Sequence, residues 1–237
     1  MIKLLHMAFF FAFTLPVFAE EVKGNNSNNN FYLFGSVGYA THDANLDDSV
    51  SSGDLSLSRS TDDKGSIVKL GAGYNISDEL GVETYYGKLD GFGSTTTATA
   101  TNAVVAGNTI NGSLSLNEDV TSNFHGLNFV ARSNLNFSNL NSLSIYGKLG
   151  VMRYSIKDEI SISGSGTVNG VSYSGSSPVL ITLKKNGTVP SGSIGIKYLS
   201  QNGWDISVGL EQMNKVGGGD LVKANVSIYE FSIRKNF

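Results

Sequence analysis

Eight segments of this 237-residue chain alternate apolar with polar side chains, and no other feature restricts its fold as much. Successive side chains of a β-strand point to opposite faces, so each segment has one apolar and one polar face. The clearest example is the last segment, where Tyr229, Phe231 and Ile233 alternate with polar residues before the final Phe237. The predicted strands are 31–40, 66–75, 80–88, 124–135, 143–154, 193–199, 204–213 and 221–237.

The connections between these strands alternate in length. Short links occupy 76–79, 136–142 and 200–203, and long ones occupy 41–65, 89–123, 155–192 and 214–220. Tight turns on one side and longer loops on the other are typical of outer-membrane barrels, whose strands are ~10 residues long. We therefore predict an all-β fold, an eight-stranded antiparallel up-and-down transmembrane β-barrel with long extracellular loops and with both termini on the periplasmic side.

The long loops have some strand character of their own. Residues 95–116 and 160–183 are rich in Ser, Thr, Gly and Asn with scattered apolar residues, so we expect the hairpins to continue above the membrane as polar ribbons. Residues 160–168 and 179–184 could instead form an extra spanning hairpin, which would make ten strands. Their apolar faces are too sparse for contact with lipid, so eight strands are favoured.

The first 19 residues predict a secretory signal peptide. Lys3 supplies a positive charge, an apolar run follows, and Val17-Phe18-Ala19 has small residues where a signal peptidase cleaves. An uncleaved anchor is the alternative, but the apolar run is shorter than the ~20 residues of a spanning helix. The mature chain is expected to begin at Glu20, with 20–30 as a flexible periplasmic leader and 31–237 as the barrel.

Composition narrows the class further. The chain has no cysteine, so disulfides and a lipid-modified cysteine are not available. Charged residues make up 16%, below the ~25% usual in soluble domains, and a net charge of −3 gives no indication of nucleic-acid binding. Beyond the signal peptide there is no long apolar run. Because only helices and closed barrels satisfy the backbone in lipid, an exported chain of this kind is either soluble or a barrel.

The order of several short motifs along the chain is informative. They are Phe31-Tyr32, Gly35 and Val37-Gly38-Tyr39 in the first strand, Gly71-Ala72-Gly73-Tyr74, Leu80-Gly81-Val82-Glu83, Ile145-Tyr146-Gly147-Lys148-Leu149-Gly150 and the final Phe237. In this order they resemble the small outer-membrane barrels of the OmpA-type transmembrane domain and their opacity-protein relatives. The resemblance implies residence in the outer membrane among lipid and lipopolysaccharide. It leaves function open, since members are adhesins, serum-resistance proteins, narrow pores or structural proteins.

The resemblance also bears on the last strand. Tyr229, Phe231, Ile233 and Phe237 are expected to face lipid, with Phe237 in the periplasmic girdle beside Trp204, Phe31 and Leu80. By resemblance, these four residues form a C-terminal signal that the outer-membrane assembly machinery reads. Many family members carry a peptidoglycan-binding domain after the barrel, and because this sequence ends at Phe237 we expect no such role here.

The polar faces of the strands predict a charged lumen. If the apolar residues face lipid, the inward-facing charges are Lys69, Glu83, Arg132, Lys148, Lys197, Asp205, Glu211, Glu230 and Arg234. The interior of an eight-stranded barrel is just filled by side chains, and buried charges need partners. A closed, ion-paired core is therefore favoured over an ion path.

The depth of each charge in the barrel can be counted in residues from the periplasmic rim of its strand. These depths predict two contacts. Glu83 and Arg132 are expected to be in contact, with Lys69 or Lys148 nearby. Glu211 and Glu230 are expected to face each other, which requires a cation between them or a proton on one of them.

The sequence offers no recognisable catalytic, cofactor or metal site. His42 and His125 belong to no clear Ser–His arrangement, although Ser122 is close in sequence to His125. Six aspartates in the first loop (43, 47, 48, 54, 62 and 63) lack the spacing of a calcium loop. We predict a non-enzymatic surface protein whose long loops mediate adhesion or contact with a host or surface ligand. A narrow channel is the alternative, and a lipid-modifying enzyme is the less favoured third.

Overall fold

The computed structural model describes residues 30–44, 48–135, 143–200, 203–217 and 224–237, and the predicted signal peptide, with all of the leader except Asn30, lies outside them. The described chain contains ten strands and no helix that could cross a membrane. The strands are β1 (Phe31–His42), β2 (Asp48–Ser52), β3 (Leu55–Asp62), β4 (Lys64–Asn75), β5 (Leu80–Val105), β6 (Asn108–Asn134), β7 (Leu143–Val168), β8 (Val171–Leu199), β9 (Trp204–Val216) and β10 (Ala224–Asn236).

Eight of these strands close into a ring. The order β5-β4-β1-β10-β9-β8-β7-β6 is completed by pairing of β5 with β6, and every neighbouring pair is antiparallel. The predicted eight-stranded up-and-down barrel is confirmed. The other two strands, β2 and β3, form a hairpin within the first long connection, and β3 pairs with the outer part of β5.

The longest strands extend far beyond the ring. β5 and β6 meet at a two-residue turn, Ala106-Gly107, and β7 and β8 meet at Asn169-Gly170, with positive φ at all four residues, as such hairpin turns require. Residues 160–168 and 179–184 are continuous with β7 and β8. They do not form a separate spanning hairpin, and the two strands additional to the eight of the ring come from the first loop.

The outer surface of the ring is apolar. Phe31, Leu70, Phe129, Leu149 and Ile194 are all exposed, the side chains that alternate with them point inward, and so the predicted outward faces match the structure. Phe31 and Tyr39 stand eight residues apart on β1. At ~3.3 Å per residue and a tilt of ~40° they are separated by roughly 20 Å along the membrane normal, close to the ~25 Å apolar band of such barrels.

Inward-facing aromatic rings are matched to glycines on the next strand. Tyr32 on β1 lies directly opposite Gly73 on β4, and Tyr85 on β5 lies directly opposite Gly126 on β6. A Cβ atom at either glycine would collide with the facing ring. The same direct pairing joins Phe34 to Gly71, Phe124 to Gly87, Tyr146 to Gly195 and Tyr154 to Gly187. Glycine on the inner face is therefore what lets large rings fill this narrow barrel.

Candidate functional site

A buried ion-pair cluster occupies the middle of the barrel. The Nζ atom of Lys69 lies 2.5 Å from Oε2 of Glu211 and 2.8 Å from Oε2 of Glu230, and all three side chains are 3% exposed. Lys69 is the cation that lies between the two carboxylates. Tyr85 donates a hydrogen bond to the other oxygen of Glu211 at 3.2 Å. Together these contacts compensate one cation and two anions that burial away from water would otherwise destabilise.

A second pair lies beside the first. The Nζ atom of Lys148 is 2.8 Å from Oε2 of Glu83, and the hydroxyl of Tyr32 donates to Oε1 of Glu83 at 2.9 Å. The expected Glu83–Arg132 contact is wrong. Glu83 lies opposite Asn128, and the Arg132 guanidinium donates instead to Oδ1 of Asn75 at 2.6 Å. β5 and β6 are joined at the outer tip, so their register is set there and not at the periplasmic rim from which depth was counted.

The remaining inward charges lie nearer the periplasmic end. The Nε atom of Arg234 is 3.2 Å from Oδ2 of Asp205, and its guanidinium stacks 3.6 Å from the centre of the Tyr32 ring. Lys197 is buried, and its Nζ atom is 6.0 Å from the centre of the Tyr146 ring. Arg132 is half-buried at the same end.

An apolar layer lies above the ion pairs, toward the outer end of the barrel. Sequence reasoning missed it because apolar side chains were assigned to the lipid-facing surface and only charges were sought on the inward face. The sign in the sequence was that aromatic and methionine residues lie an even number of positions from a buried charge on the same strand, as Met213 does from Glu211. Such residues face inward with the charge. The layer consists of Ala40, Ile67, Tyr85, Leu89, Phe92, Phe124, Met152, Tyr154, Ile156, Val189, Met213, Val226 and Ile228.

The two histidines in the described part of the chain do not build a catalytic pair. Ser122 is buried on the inner face of β6, whereas His125 points outward with its ring 5.0 Å from that of Tyr86. His42 packs its ring 4.7 Å from Phe92. Among the described residues no group of three His, Cys, Asp or Glu side chains could hold a metal ion.

The first-loop carboxylates have separate surroundings. Asp43 accepts two hydrogen bonds of 2.7 Å, from the backbone N–H and the side-chain amide of Asn225, and the backbone bond is the main reason that the pKa of Asp43 is lowered. This contact fixes the end of β1 to the start of β10. Asp47 lies outside the described residues.

Above the barrel, six strands continue as an open sheet in the order β2-β3-β5-β6-β7-β8. We call this the outer sheet; it comprises β2, β3 and residues 92–105, 108–120, 158–168 and 171–183. One of its faces is covered by hydroxyl groups in two rows that cross all six strands. The rows are Ser49-Ser58-Thr97-Ser115-Ser163-Ser176 and Ser51-Ser56-Thr99-Ser113-Ser165-Ser174.

The opposite face of the outer sheet is apolar. Leu114 has the same parity as the inward-facing Phe124 on β6, so this face continues the inner surface of the barrel. It forms a groove of about 860 Å³ with no charged residue in its lining. Exposed apolar side chains in the groove are Val50, Leu55, Leu57, Leu114 and Tyr173. The hairpins are thus amphipathic, and the expectation of polar ribbons holds for one face only.

The geometry above is that of a known class of protein. Residues 6–234 match the family model described as the outer membrane protein beta-barrel domain. The chain belongs to this outer-membrane β-barrel family. The protein is therefore located in the outer membrane, with the short turns periplasmic and the outer sheet outside the cell. No curated protein matches the sequence.

Several solved members of this structural class are similar to the barrel. Neisserial surface protein A is 14% identical, covers 87% of this chain and 97% of its own, and has a TM-score of 0.48. OprG from Pseudomonas aeruginosa is 13% identical, with 92% and 100% coverage and a TM-score of 0.45. Ail, the attachment invasion locus protein of Yersinia pestis, is 15% identical, with 86% and 99% coverage and a TM-score of 0.36. Likenesses this weak carry no information about function.

In this outer-membrane barrel a buried carboxyl marks the join between barrel and outer sheet. Asp158 on β7 is 1% exposed and lies beside Glu118 on β6, whose carboxylate is 3.2 Å from the Arg59 guanidinium. Burial, and then the charge of Glu118, raise the pKa of Asp158 to about 7. Its protonation therefore changes within the physiological range of pH.

Proposed function

We propose that this protein is a non-enzymatic surface protein whose outer sheet binds partners outside the cell. The observation that carries the proposal is the outer sheet itself. Four of its strands continue about 11–14 residues above the ring, and the longest of these extensions, 92–105, corresponds to roughly 45 Å at ~3.3 Å per residue. A barrel that served only to stabilise the membrane would need no such extension.

The apolar groove supports an interaction role. Val50 is 60% exposed and Tyr173 is 61% exposed, although both lie on the apolar face and far from lipid. Contiguous apolar surface of this kind in water is unfavourable at ~25 cal/mol per Å², and it commonly marks a site of protein or ligand binding. The groove lining carries no charge, which favours an apolar partner over an ionic one.

The lumen supports a surface role over a channel. The Lys69–Glu211–Glu230 cluster crosses the barrel, and the apolar layer lies directly above it. An ion would have to displace these pairs and then cross a layer that contains no charged side chain. Conductance in a planar bilayer would support the channel hypothesis, and we expect none.

Lipopolysaccharide is the expected neighbour at the outer rim. Lys157 on β7 and Lys184 on β8 lie directly opposite each other on the outward face, and both are exposed. Glu159 supplies Lys157 with one anion at 2.8 Å, and Lys184 opposite it adds a second cation that an anion from outside the protein would compensate. Phosphate groups at the membrane surface would supply that anion, whereas the assembly machinery is expected to contact the last strand.

The proposal is tested by shortening the four long strands of the outer sheet and keeping the barrel. Residues 95–117 and 161–180 are each replaced by Asn-Gly, which joins the register-matched pairs Ser94–Glu118 and Ile160–Ile181 by a two-residue turn. We expect the shortened protein to keep heat-modifiable mobility. Attachment of cells that express it should be at least tenfold lower than attachment of cells that express the full protein. Equal attachment by the two proteins would refute the proposal.

A further inference from the structure

The outer sheet has one long free edge. Residues 171–190 of β8 pair with β7 on one side, and β9 begins to pair with β8 only at Ser191. Within the described part of the chain, no strand covers the other side of 171–190. An uncovered edge offers unpaired N–H and C=O groups to any strand that can reach it.

Different parts of this edge are protected to different degrees. The lower part contains Pro178, which lacks an N–H, and the cations Lys184 and Lys185, and such residues prevent edge-to-edge pairing. The other free edge of the sheet, β2, is only five residues long and begins with Asp48. Residues 171–177 (Val-Ser-Tyr-Ser-Gly-Ser-Ser) have neither proline nor charge, so two copies of this segment would not repel each other.

The hairpin turn determines which groups point outward. Val168 and Val171 flank the two-residue turn, and residues in that position bond to each other. Alternation then turns the N–H and C=O groups of Ser172, Ser174 and Ser176 away from β7. Those three residues supply the hydrogen bonds that an added strand would use.

Side chains at this edge complement each other. In an antiparallel pair of two 171–177 segments centred on Ser174, Tyr173 of each copy lies opposite Gly175 of the other. A Cβ atom at Gly175 would meet nothing within 4 Å, so the space over this glycine is open. Within the barrel this chain places Tyr32, Tyr85, Tyr146 and Tyr154 directly opposite glycines of the next strand, and the pairing repeats that arrangement.

We propose that the 171–177 edge of β8 pairs antiparallel with the same edge of a second copy of this chain on an opposing membrane. β8 runs toward its own membrane, so two copies that face each other across a gap present antiparallel edges. Two copies in one membrane would present parallel β8 edges, which do not form this symmetric pair. The inference rests on the proposed function and names its partner, a second copy of the protein.

The absence of natural cysteine allows a direct test by cross-linking. Two populations of proteoliposomes carry Ser174→Cys protein with different tags, are mixed, and are oxidised. In the paired state the two Ser174 Cα atoms are ~5.5 Å apart, within the range of a disulfide. Ser165→Cys is the matched control, because Ser165 lies opposite Ser174 on β7, one strand inside the edge on each copy.

We expect disulfide dimers that carry both tags for Ser174→Cys, and at least tenfold fewer for Ser165→Cys. Adding Gly175→Val should abolish the dimers, because the valine side chain occupies the space that Tyr173 of the other copy would fill. It does not clash within its own chain, since a Cβ atom at Gly175 meets nothing within 4 Å. Ser174→Pro should likewise slow vesicle aggregation at least tenfold, whereas Ser174→Ala, which keeps the N–H, should not. Heat-modifiable mobility verifies that each variant is folded.

Equal cross-linking at both positions, dimers with a single tag only, or no dimers would each overturn the pairing. The last outcome is separable from failure of the proposed function. If shortening the outer sheet abolishes cell attachment while Ser174→Cys gives no dimers, the outer sheet binds a partner other than itself. If shortening has no effect either, both proposals are wrong.

Discussion

Replacing Lys69 by methionine should be among the most damaging single changes in the barrel. The substitution keeps the length of the side chain and removes the cation that contacts both Glu211 and Glu230, which are both 3% exposed. Breaking a buried ion pair by removing one partner costs about 3–5 kcal/mol, because the other charge stays buried and uncompensated. Here two carboxylates lose their partner, so we expect a loss at the upper end of that range.

The loss is measured by urea unfolding in detergent or lipid vesicles. The single tryptophan, Trp204, lies at the periplasmic end of β9 and reports unfolding by its fluorescence. Lys88→Met is the matched control, because the Lys88–Asp90 pair is about half exposed and should contribute less than ~1 kcal/mol. Adding Glu211→Gln and Glu230→Gln to Lys69→Met should restore most of the stability. A loss below ~1 kcal/mol for Lys69→Met would refute the view that these charges stabilise the barrel as a compensated cluster.

Three further predictions concern other parts of the molecule. The pKa of Asp158 is raised to about 7 and so lies above its value in the unfolded chain. Its stabilising contribution is therefore lost as pH rises from about 4 through 7. Urea unfolding midpoints of the protein should fall over this range, and those of Asp158→Asn should not. Gly73→Val, which collides with Tyr32, should cost at least ~1–3 kcal/mol in urea unfolding, and Gly147→Val, at an open site, less than ~0.5. Deleting Phe237 removes about 1.5–3 kcal/mol of apolar contact; if the residue is also an assembly signal, folded protein in outer-membrane fractions should fall far more than this loss explains.

The barrel was predictable because lipid imposes a simple rule on every strand. Each residue that faces lipid must be apolar, so a period of two identifies the strands and also assigns their faces. Glu230 and Lys69 could thus be placed inside from the sequence alone. Their pairing partners could not, since partners depend on register. Glu83 was assigned to Arg132 but binds Lys148, because the β5–β6 register is set at the outer tip and shifted by bulges on the way down.

The outer sheet was harder to predict for a related reason. A bulge between Leu89 and Phe92 shifts the alternation of β5, so that inward residues are odd-numbered at Tyr85 and even-numbered at Ala98. A pattern read from the barrel upward therefore assigns the wrong face above the bulge. In addition, water places no demand on either face, and rows of Ser and Thr read as polar loop. Only the strand pairing shows that these residues share one face and that the apolar residues share the other.

The proposed function requires a barrel closed to ions that holds an amphipathic sheet outside the cell. The most direct test is labelling of single cysteines, introduced into this cysteine-free chain, by a membrane-impermeant maleimide on intact cells. Leu114→Cys in the apolar groove should label within the time needed for an exposed thiol, and Phe129→Cys on the lipid-facing surface should stay unlabelled. Labelling of Leu114→Cys only after the outer membrane is permeabilised, or equal labelling at both positions, would contradict this account.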